Sequence, residues 1–303
     1  MPIPDLQSLM LPVLKLASDG VEHRSRDVLE LLATEFNLTE EERREPLLNG
    51  QTRFYNRILW ATIYLRRAGL LDSAQRGVFQ ITERGQAALA QNPQRIDLRF
   101  LTQFPEYRDW RKGTPQDERL GVSEQPVLVT TPDELIEAGY KQLREQLIDE
   151  VLRQVRSSPW QLLERLMVPL LLAMGYGTSQ DSGLVLGQSG DGGVDGVIHE
   201  DALGLDAIYL QAKRQEANVG RPQLQAFVGS LEGRHATKGV FATTSDFSRE
   251  AHEYVRHIPK SVSLINGRRL AELMVDYGIG VSTEKTLTIK RLDTDYFADP
   301  DVV

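Results

Sequence analysis

The chain has 303 residues, with 35 Lys+Arg against 43 Asp+Glu, a net charge of −8 and no cysteine. The lack of thiols excludes disulfides, thiolate zinc sites, iron–sulfur clusters and cysteine nucleophiles. The length sets an expectation of two domains, and the acidic total taken alone argues against a nucleic-acid partner. That charge is uneven, however: residues 1–95 are net 0, 96–150 net −5 and 151–303 net −3. The opening stretch has no basic n-region and no small-residue cleavage site, so no secretory signal is expected. No apolar run reaches the ~18 residues of a membrane span. A cytoplasmic protein is the expectation.

Residues 6–17 place Leu6, Leu9, Met10, Val13 and Leu14 at helical spacing, with Pro12 inside the pattern. Ser25 precedes a second helix with Val28, Leu29, Leu31 and Leu32 on its apolar side. Thr39 followed by Glu42 is a capping-box pattern. Residues 52–68 predict a longer helix, with Phe54, Ile58, Leu59, Thr62 and Leu65 on one side and Gly69 placed to stop it. No carboxylate stands between Glu45 and Asp72, yet Arg53, Arg57, Arg66 and Arg67 do, so the acidic total hides a cationic segment. Arg76-Gly77 is a turn between two short strands, and an Ala-rich helix follows at 86–91.

Helix, helix, basic helix and small hairpin is the order of a winged helix–turn–helix. There the basic helix enters the major groove and arginines hold phosphates. Residues 1–95 are therefore expected to be a winged-helix DNA-binding domain, with Arg53, Arg57, Arg67 and Arg76 as its DNA contacts. The same arginines also suit a solvated helix face, and winged helices also serve as protein-interaction modules. Phe54, Tyr55, Trp60 and Tyr64 offer aromatic surface for an extruded base or, equally, for core packing. Residues 96–150 carry Pro105, Pro115, Pro126 and Pro132 and read as a linker with an acidic surface, closed by a helix over 132–155.

From Pro159 the pattern becomes helix (159–174, with Pro169 inside), glycine-rich run, strand (206–213), helix (222–231), strand (238–243), helix (247–257), strand (262–265) and helix (270–277). This is an α/β domain, 151–303, with a central mixed sheet flanked by helices. Asp195 follows a run of glycines, where the backbone can bend tightly. Gln211 and Lys213 share one strand face, since positions two apart point the same way. A carboxylate beside an amide and an ammonium suits Mg²⁺ and a phosphate: the carboxylate holds the cation, and the lysine steadies charge growing on phosphorus. Glu164 on the first helix offers a second carboxylate. Spacing alone also permits a plain turn and a solvated strand-end lysine. No phosphate-binding G-x-x-x-x-G-K-[ST] motif is present.

The GDGGVDGV run at 190–197, together with LDAIYLQAKRQEANVGRPQLQAF at 205–227, resembles the Mrr-type methylation-dependent (type IV) restriction endonucleases of the PD-(D/E)xK superfamily. GVFATTS at 239–245, LDTDYF at 292–297 and the stretch from Gly50 to Tyr55-Asn56-Arg57 are similar too, so the resemblance spans nearly the whole chain. It implies a restriction-endonuclease-like catalytic domain that cleaves double-stranded, methylated DNA by Mg²⁺-assisted hydrolysis. Asp195 matches the metal-binding Asp and Lys213 the catalytic Lys. Gln211 stands where Asp or Glu is usual, as in the Mrr subgroup. Glu164 is similar to the acidic residue of the first helix, although Leu163 precedes it where an aromatic is more usual. Gln225 resembles a supporting helix residue. The implied cation ligands are Asp195, Gln211, Ala212 through its carbonyl, and Glu164. Cutting two strands implies a homodimer or homotetramer. The alternative is a non-catalytic winged-helix DNA-binding protein with a degenerate nuclease domain.

Overall fold

The computed structural model describes residues 3–73, 77–112, 130–186, 193–292 and 296. It divides into two compact units, Met1–Gln142 and Leu143–Val303. No helix among the described residues is long and apolar enough to cross a membrane.

The amino-terminal unit opens with helix α1 (Leu6–Leu16), capped by the Asp5 carboxylate, which accepts from the Gln7 and Ser8 N–H groups. Its five periodic apolar residues are all fully buried, and the helix runs through Pro12. Packing of that face outweighs the hydrogen bond Pro12 cannot make. Strand β1 (His23–Arg24) leads into α2 (Ser25–Glu35). Helix α3 (Glu40–Arg44) carries the capping box read from its sequence: Glu42 N donates to Thr39 Oγ1, and Thr39 N donates to the Glu42 carboxylate. Helix α4 (Arg53–Arg67) ends just before Gly69, whose φ of +70° suits glycine. Strands β2 (Leu71–Asp72) and β3 (Val78–Ile81) complete a three-stranded antiparallel sheet in the order β1-β3-β2.

Helix α5 (Glu83–Ala90) starts three residues earlier than its alanines suggest, because the Thr82 hydroxyl accepts from Gly85 N and so sets the cap. At Gly85 a Cβ would lie 2.2 Å from the Leu70 carbonyl oxygen and 2.6 Å from Ile81 Cγ1. Gly85→Ala is therefore expected to lower the stability of this unit by about 1–3 kcal/mol. Thermal unfolding followed by circular dichroism checks this, and an unchanged midpoint would contradict the close approach.

The stretch read from sequence as a linker begins inside this same core. Helices α6 (Leu98–Leu101) and α7 (Pro105–Lys112) bury Ile96, Leu98, Leu101 and Tyr107 against α1 and α4 residues. Four- and eight-residue helices are too short to show a periodicity. Helix α8 (Pro132–Ser157) follows, and the division between the two units falls within it.

The carboxy-terminal unit is a mixed sheet with helices on both faces. Helix α9 (Trp160–Ala173) precedes strands β4 (Gly183–Val185), β5 (Gly196–His199) and β6 (Ala207–Lys213). Then come α10 (Arg221–Gly233), β7 (Lys238–Thr243), α11 (Arg249–Arg256), β8 (Ser261–Ile265) and α12 (Gly267–Asp276). The order is β4-β5-β6-β7-β8, with β4, β5 and β6 antiparallel and β6, β7 and β8 parallel. Ile208 and Leu210 of β6 face a core with Leu163, Leu166, Met167 and Leu170 of α9. Tyr209 faces the opposite core, with Phe227, Phe241 and Phe247. This is the two-faced alternation expected of a sheet covered on both sides. Strand β4 was not foreseen: three residues at a sheet edge, with Leu184 and Val185 exposed, show no alternation.

Candidate active site

The site forms where β5 begins and β6 ends. Asp195 lies just before β5, held between two neighbours: its N–H donates to the Leu210 carbonyl and its carbonyl accepts from Leu186 N. Yet Gly196 is the residue in register with Leu210. Two residues of one strand thus meet one of the next, as in a β-bulge, which re-aims a side chain. The Asp195 carboxylate turns to β6, where Oδ2 accepts the Ala212 N–H at 2.7 Å. A strand residue's N–H and C=O leave along the same edge, so the Ala212 carbonyl also faces Asp195.

Gln211 stands next to this contact. Its Oε1 is buried and has no hydrogen-bond partner among the described residues. Gly193, at φ +81°, passes so close that a Cβ there would lie 3.1 Å from Gln211 Nε2. Only glycine serves both the conformation and the space. Lys213 ends β6 on the same face as Gln211 and is half-buried. Its carbonyl accepts from the Thr243 hydroxyl at 2.8 Å. Its ammonium makes no ion pair or hydrogen bond among the described residues. Glu164 lies on α9, which packs on the Ile208–Leu210 face of β6; burial first, and then the Asp195 charge, hold its carboxyl above the ordinary carboxylate range. Gln225 is exposed on α10. Residues 187–192 of the glycine-rich run, most of the closing LDTDYF stretch, and Arg76 lie outside the described residues.

Among the described residues no three His, Asp or Glu side chains are placed together for a metal ion. The donors the candidate residues could offer are two carboxylates, an amide oxygen and a backbone carbonyl. They fit a hard divalent cation, which takes oxygen ligands. A buried, unpaired Gln211 Oε1 is costly unless something binds it. The repulsion between Glu164 and Asp195 is the kind a cation relieves.

Two of the candidate DNA-contacting arginines of α4 are engaged within the protein. Arg53 spends all three nitrogens on carboxylates: Nε on Glu45 at 2.6 Å, Nη1 on Glu134 at 3.0 Å and Nη2 on Glu137 at 3.1 Å. Arg57 donates to Glu134 and to the carbonyls of Ile3 and Pro4. Arg67 is exposed, its guanidinium 5.3 Å from the Trp110 ring centre. Phe54 is fully buried, and Tyr64 packs against Trp60, Tyr107 and Trp110. Core packing accounts for these two aromatics.

Residues 155–274 match the restriction endonuclease domain of the Mrr family, and residues 6–91 the Mrr N-terminal domain. The type IV methyl-directed restriction enzyme EcoKMrr of Escherichia coli (strain K12) is 36% identical over 312 residues, covering 98% of this chain and all of that protein. The chain belongs to the Mrr family. Its carboxy-terminal unit is the Mrr restriction endonuclease domain, and Asp195, Gln211 and Lys213 all lie within the matched span. Two solved structures align over part of this Mrr chain. The DNA modification-dependent restriction endonuclease AspBHI is 16% identical with a TM-score of 0.36, over 69% of this chain and 56% of that one. The MspJI restriction endonuclease, in complex with a 27-mer oligonucleotide, is 21% identical with a TM-score of 0.30, over 64% and 42%. The chain spans about half the length of these two proteins.

Proposed function

We propose that this Mrr-family chain is a type IV restriction enzyme that hydrolyses phosphodiester bonds of methylated double-stranded DNA. The observation that supports the reading is the Asp195 carboxylate bonded to the Ala212 N–H, between Gln211 and Lys213 on β6, with Gln211 Oε1 buried and without a partner among the described residues. The full-length match to a methyl-directed enzyme supplies the substrate class. A degenerate nuclease domain would gain nothing from a buried Gln211 Oε1 that has no partner among the described residues.

In this reading Mg²⁺ is held by Asp195, Gln211, Glu164 and the Ala212 carbonyl. When bound, it supplies Lewis-acid polarisation of the scissile phosphate. Asp195 is oriented for its part by the Ala212 N–H. Lys213, whose ammonium has no partner among the described residues, orients the attacking water and stabilises the negative charge that grows on the phosphorus oxygens. Water forms the new P–O bond and gives up a proton to solvent, the P–O bond to the bridging ester oxygen breaks, and that oxygen takes up a proton from solvent.

The amino-terminal unit acts as a winged helix. Support comes from its element order, α1, β1, α2, α3, α4, then the β2–β3 hairpin on a three-stranded sheet. In that reading α4 faces DNA, with Arg53, Arg57 and Arg67 on it and Arg76 in the wing. The enzyme works as a homodimer or homotetramer, so that both strands are cut.

Incubation with methylated and unmethylated plasmid, each with Mg²⁺ or EDTA, tests this. Cutting is expected only of methylated plasmid with Mg²⁺. If no methylated DNA is cut, the enzyme reading fails. If both plasmids are cut equally, the nuclease stands and the methyl dependence falls.

A further inference from the structure

Helix α4 has a property that a DNA-reading helix ought not to have. From Gln51 to Leu65 no residue is exposed. Part of this burial belongs to the core, through Phe54, Ile58, Ala61 and Leu65. Another part is polar. Its partner is the start of α8, with Asp133 and Glu134 in the first turn and Glu137 just after it. Arg53 and Arg57 both bond Glu134, and Arg53 also bonds Glu137. The Asp133 carboxylate accepts from Asn56 Nδ2 at 3.0 Å and from Trp60 Nε1 at 2.8 Å. Thr131, fully buried, donates its hydroxyl to Asn56 Oδ1 and its N–H to Glu134.

These are the contacts that α4 would offer to DNA. Arginine forks and amide or indole N–H donors recognise carboxylates and phosphates by the same geometry. Stability alone is a poor reason for the arrangement, since buried ion pairs gain little over apolar residues of the same volume. Glu134 is 2% exposed and Glu137 8% exposed. Asp133, Glu134, Glu137 and Glu45 bring four negative charges to the three positive ones of Arg53, Arg57 and Lys141.

We infer that the Arg53–Asn56–Arg57–Trp60 face of α4 is a DNA-backbone docking surface, and that the acidic first turn of α8 occupies it as a phosphate mimic until DNA displaces it. The inference rests on the winged-helix reading given above. Displacement costs the carboxylate contacts and returns two arginines to phosphates. DNA binding through α4 is therefore weakened by the mimic and becomes steeply salt-dependent once it is gone.

The chain has no cysteine of its own, so a lock can be built cleanly. Asn49 and Asp133 are joined by a side-chain hydrogen bond of 3.1 Å. The full-length double variant Asn49→Cys, Asp133→Cys, closed by oxidation or by a short bis-maleimide, pins the turn to the loop before α4. Binding to a fluorescent methylated duplex is measured in EDTA, which leaves the DNA uncut, across a salt series. Circular dichroism confirms that both forms are folded. The locked form is expected to bind at least about tenfold more weakly than the reduced form. The salt slope of the reduced form should be steeper by about 2, one phosphate contact for each of Arg53 and Arg57. Equal affinity and slope in both forms would overturn the mimic and leave DNA binding by the chain intact. Failure of both forms to bind would overturn the inference together with the winged-helix reading.

Discussion

Lys213→Ala is expected to slow cleavage of methylated plasmid by at least about 100-fold, the cost of removing one group that stabilises transition-state charge. Binding of the same DNA in EDTA should change little, because a single phosphate contact among many is lost. Lys213 leaves the same face of β6 as Gln211, two residues on, and its ammonium is bound to nothing else among the described residues. Its backbone is fixed by the parallel pairing with Thr243 and by the Thr243 hydroxyl. Alanine therefore removes the charge without disturbing the strand. Single-turnover cleavage and a gel shift on the same preparation separate the two effects. A variant that cuts at the wild-type rate would remove Lys213 from the mechanism.

Phe241→Ala is expected to destabilise the carboxy-terminal unit by about 3–5 kcal/mol, the usual cost of emptying a buried aromatic site. Phe241 is fully buried on β7. It meets Phe227 of α10 edge-on at 5.5 Å and Phe247 at 5.9 Å. This aromatic stack fastens α10, and the segment leading into α11, to the strand beside β6. The register Gln211–Phe241 places the loss directly next to the candidate site. Chemical denaturation should show a lower midpoint, with activity falling at temperatures where the wild type is still folded. An unchanged midpoint would mean that the cavity collapses without cost, which two flanking aromatics held on separate elements make hard to achieve.

How much was legible beforehand varied with how local the cause was. The capping box at Thr39 and Glu42, the apolar stripe of α1 and the bounds of β7 followed directly from the sequence, because each depends on neighbours a few residues away. The shared face of Gln211 and Lys213 did too, since strand alternation is a local rule. Strand β4 and helices α6 and α7 did not. They are short, and their stability comes from what they pack against. The sequence offered Glu164 as a second carboxylate but not its electrostatic nearness to Asp195. That nearness needs α9 laid across the sheet, and no spacing rule supplies this.

The net charge of −8 shows the same division. The sequence by itself determined that α4 carries arginines with no carboxylate nearby along the chain, and that acid gathers further on, in residues 96–150. It also determined, through the absence of cysteine, that any metal here must be held by oxygen or nitrogen ligands. Only the tertiary structure decided that Glu134 and Glu137, some eighty residues downstream, sit on Arg53, and that Glu134 also sits on Arg57. The physical reason is that charge interactions depend on distance in space, falling off with separation and solvent. Separation along the chain says nothing of that distance until the fold brings α8 back onto α4.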